Sequence, residues 1–174
     1  GSEMCIRDRE RHQPERYQKF MDDLKNGGVQ VLHNETAWFW IDGEKVAVTG
    51  YELPWEYYRR FSRRHPSVVG MERSIGKRKQ DAYQILLTHN PVFFEEYAAW
   101  GADFTFAGHL HGGFIRLPYF GGVISPQFQL FPKYDHGLYQ MDTSSMVVGA
   151  GMGNHSGLFR INNPTEIVTV RIKR

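Results

Sequence analysis

Apolar residues recur along this chain with two different periods, and the change between them marks its elements. Pro14 opens a segment with Tyr17, Phe20, Met21 and Leu24 on one face at helical spacing, and Gly27-Gly28 ends it. A short strand is predicted over Val29 to Leu32. Ala37 to Ile41 and Lys45 to Thr49 flank Asp42-Gly43, the signature of a tight hairpin. Pro54 starts a second helix with Trp55, Tyr58 and Phe61 on one face and Arg59, Arg60, Arg63 and Arg64 on the other, read as a solvated face. The Lys/Arg-rich stretch from Ser74 to Asp81 reads as a surface connection.

The next segment is the most informative. Gln84 to Thr88 is a buried apolar strand that ends in His89. Pro91 starts a helix that runs to Trp100 and is closed by Gly101. Asp103 to Ala107 is a further apolar strand, ending in Gly108-His109-Leu110-His111-Gly112-Gly113. A strand–helix–strand unit with a glycine-bounded helix predicts two parallel strands joined by a right-handed crossover. Phe114 to Asp135, rich in glycine, proline and aromatics, reads as a long ordered loop. Strands are predicted at Gly137 to Met141, Met146 to Gly149 and Ile167 to Ile172. The whole reads as one α/β domain with a mixed sheet and flanking helices.

Composition narrows the class without naming a function. Of 174 residues, 41% are hydrophobic and 23% charged, which suits a packed domain and not a disordered chain. A formal charge of +2 gives no electrostatic case for a nucleic-acid partner. The single cysteine, Cys5, excludes an internal disulfide. No apolar run approaches the roughly 18 residues that span a bilayer. Residues 1–9 show neither period and are expected to be a non-native leader, leaving 10–174 as the domain.

Parallel strands end at a common rim, where open α/β sheets collect their ligand sites. His89 follows one strand and His109 and His111 follow its expected neighbour, so three imidazoles are expected at one rim. A lone histidine at a strand end is more often structural. Three together point to a metal or catalytic site, because neutral imidazole is a ligand for Zn, Mn and Fe.

Thr88-His89-Asn90-Pro91 followed by Gly108-His109-Leu110-His111-Gly112-Gly113 resembles the last two metal motifs of the calcineurin-like metallophosphoesterases. The likeness extends to a bacterial subgroup that includes YkuE-type enzymes and UDP-2,3-diacylglucosamine hydrolases. It runs through Val31-Leu32-His33-Asn34-Glu35, Arg116-Leu117-Pro118, Phe131 to Tyr139, Gly149 to Gly153 and Asn163 to Ile167. Phe114 departs from the subgroup, which often has glutamine there.

The resemblance implies the C-terminal half of a four-layer α/β/β/α sandwich and a metal-dependent phosphoester hydrolase. It assigns His89 and His109 to the second metal and His111 to the first. Two divalent ions (Mn, Fe or Zn) serve the complete family domain. The family's Asp-x-His, Gly-Asp-x-x-Asp and Gly-Asn-His-Asp/Glu motifs, with their general-acid histidine, are not found in this sequence. Asp22-Asp23, His33-Asn34-Glu35 and Gly153-Asn154-His155 have the wrong context to replace them. The chain as given is therefore expected to be a truncated domain that holds one metal or none and turns over poorly, with no catalytic residue identified. Its expected substrate is a small or lipid-linked phosphoester, with Arg116 and Lys133 either structural or phosphate-facing. A partner-binding module that self-associates through exposed sheet surface and a mononuclear metal protein are the competing classes. Many relatives carry an N-terminal anchor or export signal, so the expected location is the cytoplasm or, with such a segment, the membrane or the extracytoplasmic space.

Overall fold

The computed structural model describes residues 14–58, 64–113, 115–117, 121–123, 130–152 and 160–171. The leader, Arg59, Arg60, Phe61, Arg63, Phe114, Pro118 and Gly153-Asn154-His155 lie outside the described residues.

Helix α1 spans Pro14–Asn26, as its periodicity requires, with Met21 buried on its apolar face. Strands β1 (Thr36–Ile41) and β2 (Glu44–Tyr51) form the antiparallel hairpin. Asp42 and Gly43 both take positive φ, 50° and 82°, as the two-residue turn that matches strand twist demands. Residues Trp55–Tyr58 form a 3-10 turn in place of the expected Pro54 helix, whose extension to Phe61 falls outside the described residues.

Helix α2 (Val68–Ile75) has no counterpart among the sequence expectations, and it takes up the first residues of the expected Ser74 to Asp81 connection. Its local signals are nonetheless present. The Ser67 hydroxyl accepts a hydrogen bond from the Gly70 N–H at 3.0 Å, and Gly76, at φ 79°, closes the C-terminus. The remaining elements are β3 (Tyr83–Thr88), α3 (Phe94–Trp100) after a 3-10 turn at Pro91–Phe93, and β4 (Phe104–Ala107). They are followed by the small pair β5 (Arg116–Leu117) and β6 (Gly121–Gly122), then β7 (Gly137–Met141) and β8 (Ser144–Val148).

Six strands form one mixed sheet in the order β1-β2-β3-β4-β8-β7. Strands β2, β3, β4 and β8 run parallel, and the outer strands β1 and β7 are antiparallel to their neighbours. Helices α2 and α3 cover one face. Leu86 packs there with Met71, Tyr97 and Trp100, and Phe94 packs with Met146, Val148 and Tyr134. This is an α/β fold with a mixed sheet flanked by helices.

Gln84 is fully buried on that face and is satisfied by the Ala47 carbonyl and the Thr49 hydroxyl, at 3.2 and 2.8 Å. Arg78, in the expected surface connection, ties the strand bases together. Its guanidinium donates to the Gly101 carbonyl at 2.9 Å and to Asp103, whose carboxylate also accepts the Gln84 N–H.

Two expected strands are not formed. Val29 is held in the C-terminal turn of α1, its N–H donating to the Leu24 carbonyl at 2.9 Å. Leu32 then crosses so close over Gly50 that a Cβ there would run into the Leu32 carbonyl oxygen. Residues 167–171 also form no strand, and Ile167 is 76% exposed.

Candidate metal centre

The parallel register carries β3 and β4 to a common rim, and the chain joins them there directly: the Gly108 N–H donates to the His89 carbonyl at 3.1 Å. His89 is set by the residues on its C-terminal side. The Asn90 side chain caps the next turn by accepting from the Val92 N–H at 3.1 Å, and the buried Tyr97 hydroxyl donates to the Asn90 carbonyl at 2.7 Å. Burial pushes the Tyr97 pKa well above its ordinary value, so it stays a donor.

The β4 end is shaped by unusual backbone. His109 and His111 both sit at positive φ, 64° and 48°, followed by Gly112 and Gly113 in the same region. For a residue with a Cβ this costs about 1–2 kcal/mol. Leu110, fully buried between them, anchors the loop in the core. Two such residues within one short loop make its backbone unusual.

His89 Nε2 and His109 Nδ1 face each other at 2.8 Å, with ring centroids 4.5 Å apart, and both residues are buried. Nitrogens on neighbouring tetrahedral positions of one ion, each about 2.0–2.1 Å from it, lie about 3.3 Å apart. The pair is thus in hydrogen-bond contact, and a separation of about half an ångström more would bring it to the spacing of joint ligands. Tyr58 lies against both rings, at centroid distances of 5.9 and 5.5 Å.

His111 belongs to the same loop but turns elsewhere. Its Nδ1 lies 3.2 Å from the Ala150 carbonyl, with an Arg160 guanidinium nitrogen at 3.4 Å. The structure thus brings His89 and His109 into contact and holds His111 apart on the C-terminal turn. Among the described residues, no group of three or more His, Cys, Asp or Glu side chains is placed to hold an ion jointly.

The loop is braced by a residue that the sequence pattern does not single out. Asn163 is buried, and its amide donates to the carbonyls of His111 and Gly113 at 2.5 and 2.7 Å. A Cβ at Gly112 would lie 2.7 Å from the Asn163 side-chain oxygen, so the glycine permits the approach. No local signal announces this role. Asn163 stands some fifty residues along the chain from the loop it braces, and only an unusually buried asparagine in a coil would hint at it.

His33, Arg116 and Lys133 are engaged in ion pairs. His33 Nδ1 pairs with the Glu52 carboxylate, and the Glu52 N–H donates to Asn34 at 2.8 Å, which pins that loop to the end of β2. Arg116 faces Asp135 at 3.4 Å and Lys133 faces Glu95 at 2.7 Å, so both basic residues are tied within the domain. His136 pairs with Glu166 at 2.8 Å. Burial raises the Glu166 carboxyl, but the Ala150 N–H and His136 outweigh it, and the net shift is downward.

No family model matches the chain, and no solved structure matches it. Curated proteins do. It is 29% identical over 102 residues to the uncharacterized metallophosphoesterase YkuE of Bacillus subtilis, covering 59% of this chain and 35% of that one. It is 29% identical over 110 residues to the uncharacterized protein YpbG of the same organism, covering 61% and 38%. It is 25% identical over 158 residues to the UDP-2,3-diacylglucosamine pyrophosphatase LpxG of Chlamydia trachomatis, covering 85% and 43%. The chain thus spans less than half the length of the curated relatives it matches. With the strand-end His89 and the strained His109 and His111 in view, these likenesses relate the chain to the calcineurin-like metallophosphoesterases.

Proposed function

We propose that this chain supplies the histidine side of a two-metal phosphoester hydrolase centre, with His89 and His109 on one ion and His111 on the other. The carrying observation is the 2.8 Å approach of His89 Nε2 to His109 Nδ1 where two parallel strands end. Divalent ions (Mn, Fe or Zn), when bound, supply Lewis acidity that polarises the phosphoryl oxygens. The chain's own part is to present neutral imidazoles from a rigid rim and to keep the loop between them in its strained form.

Imidazoles alone bring no negative charge against two dications. The chain as it stands is accordingly proposed to bind metal weakly and to hydrolyse slowly until carboxylate ligands complete the centre. The likeness to a protein named as a UDP-2,3-diacylglucosamine pyrophosphatase makes a lipid-linked phosphoester the favoured substrate class. The test is hydrolysis of an aryl phosphodiester with Mn²⁺, by the chain and by His109→Ala. Slow turnover abolished by the substitution is the expected result. Turnover unchanged by it would overturn the assignment.

A second reading, self-association, is favoured by the edge strand β1, whose Trp38, Phe39, Trp40 and Ile41 are all exposed. A sedimentation profile that stays monomeric at high concentration would remove it.

A further inference from the structure

Among the described residues after β8 there is no further helix or strand, yet polar side chains there converge on one short turn. Arg160 Nη2 donates to the Ala150 carbonyl at 2.9 Å and Nη1 to the Gly151 carbonyl at 3.3 Å. The Glu166 carboxylate accepts the Ala150 N–H at 2.8 Å, and the Glu166 N–H donates to the Gly151 carbonyl at 3.3 Å. The same carboxylate oxygen takes His136 Nε2 at 2.8 Å. Ala150 is thus gripped at its N–H by an anion and at its carbonyl by a cation. Such charge-assisted bonds are roughly twice as strong as neutral ones.

The carbonyl so gripped is the one that His111 meets. Ala150 O lies 3.2 Å from His111 Nδ1, and a carbonyl has two lone pairs, enough for both Arg160 and an imidazole N–H. Arg160 also stands 3.4 Å from His111 Nδ1, but a guanidinium only donates. The two contacts therefore require opposite states of Nδ1. The nearer carbonyl selects Nδ1–H, and that choice makes Nε2 the lone-pair nitrogen of the neutral ring. A backbone carbonyl on one imidazole nitrogen is the usual means of fixing which nitrogen faces a metal.

We propose that Arg160 and Glu166 are positioning residues, which hold the Ala150 carbonyl where it fixes His111 in the Nδ1–H tautomer and makes Nε2 its ligand nitrogen. The purpose of this device rests on the metal role proposed above, but the device itself is readable without any metal. Both hold the Ala150 peptide groups, Arg160 at the carbonyl and Glu166 at the N–H.

The experiment is long-range ¹H–¹⁵N correlation of the imidazoles in the metal-free chain at about pH 8.5, above the ordinary range of an imidazole. Wild type is expected to show His111 with a protonated Nδ1 and an unprotonated Nε2. In Arg160→Met and in Glu166→Ala that signal should move towards a mixture of tautomers, while His89 and His109 keep theirs. Arg160→Lys retains charge and a donor, and should retain the wild-type tautomer. Zn²⁺ affinity is expected to fall about 10–100-fold in Arg160→Met and to recover in part with lysine.

A wild-type His111 protonated on Nε2, or a tautomer indifferent to Arg160→Met, would overturn the proposal. So would unfolding of both R160M and E166A, since the segment would then serve stability alone. A tautomer that follows Arg160 in a chain that takes up no Zn²⁺ supports the positioning and overturns the metal reading instead.

Discussion

His89 and His109 are held differently from His111, although all three come from the same rim of the sheet. The first two stand at the ends of adjacent parallel strands, and their ring nitrogens meet at 2.8 Å. His111, two residues further on, takes its contacts from the C-terminal coil: Ala150 and Arg160 at its ring, Asn163 at its carbonyl. Sheet register fixes the pair, whereas side chains from a coil fix the third. Damage to the coil should therefore disturb His111 and leave the pair intact, and damage to the shared core should disturb all three.

The largest effect is expected at the shared core. Leu110→Ala removes a fully buried side chain from the middle of the loop, and should destabilise the fold by about 2–5 kcal/mol in urea unfolding. It should perturb the ring signals of both classes of histidine. Next comes His109→Ala, which removes one of the two nitrogens facing each other. Metal affinity measured by calorimetry should fall at least about 100-fold, roughly 2.7 kcal/mol or more, while His111 keeps its tautomer.

Asn163→Ala acts on the coil side alone. It leaves the His111 and Gly113 carbonyls without their buried donor, at a cost of about 1–3 kcal/mol, and should shift the His111 signals with little change at His89. The smallest effect concerns acid. The Glu166 carboxyl is depressed in the folded state, so its contribution is present above the unfolded carboxylate range and is lost as pH falls through the lowered value. On acidification, amide exchange at Ala150 should quicken before exchange at Gly108, whose N–H is bonded to the His89 carbonyl. Simultaneous exchange at both sites would erase the distinction between the two regions.

The same division explains how much is legible in the sequence. The hairpin, the β3–α3–β4 unit and the placement of His89, His109 and His111 beyond strand ends follow from period, glycine and proline, and the structure bears out these elements. Helix α2 escapes a reading by pattern because its eight residues lie between a run of arginines and a run of lysines, where charge hides the Ser67 and Gly76 caps. Val29 to Leu32 and Ile167 to Arg171 have strand-like composition, but no sheet edge receives them. The left-handed φ of His109 and His111, and the support of His111 from residues 39 to 52 positions away, are tertiary facts. Nothing in the local pattern distinguishes Arg160 or Asn163 from ordinary coil residues.

The fold's second consequence lies on the sheet face away from α2 and α3. By register, Phe39, Val46, Ile85, Phe104 and Val147 share it, and Phe39 and Leu138 remain exposed there. Alternation that buries one face under helices and leaves apolar residues on the other belongs to a layer made to pack on both sides.

Titration of the ¹⁵N-labelled chain with Zn²⁺, followed at the imidazole nitrogens, tests the central claim most directly. Nε2 of His89, Nδ1 of His109 and Nε2 of His111 should shift as metal is added, while His33, His65 and His136, each paired with a glutamate, hold still. Shifts confined to the glutamate-paired rings, or none at the three rim histidines, would contradict it.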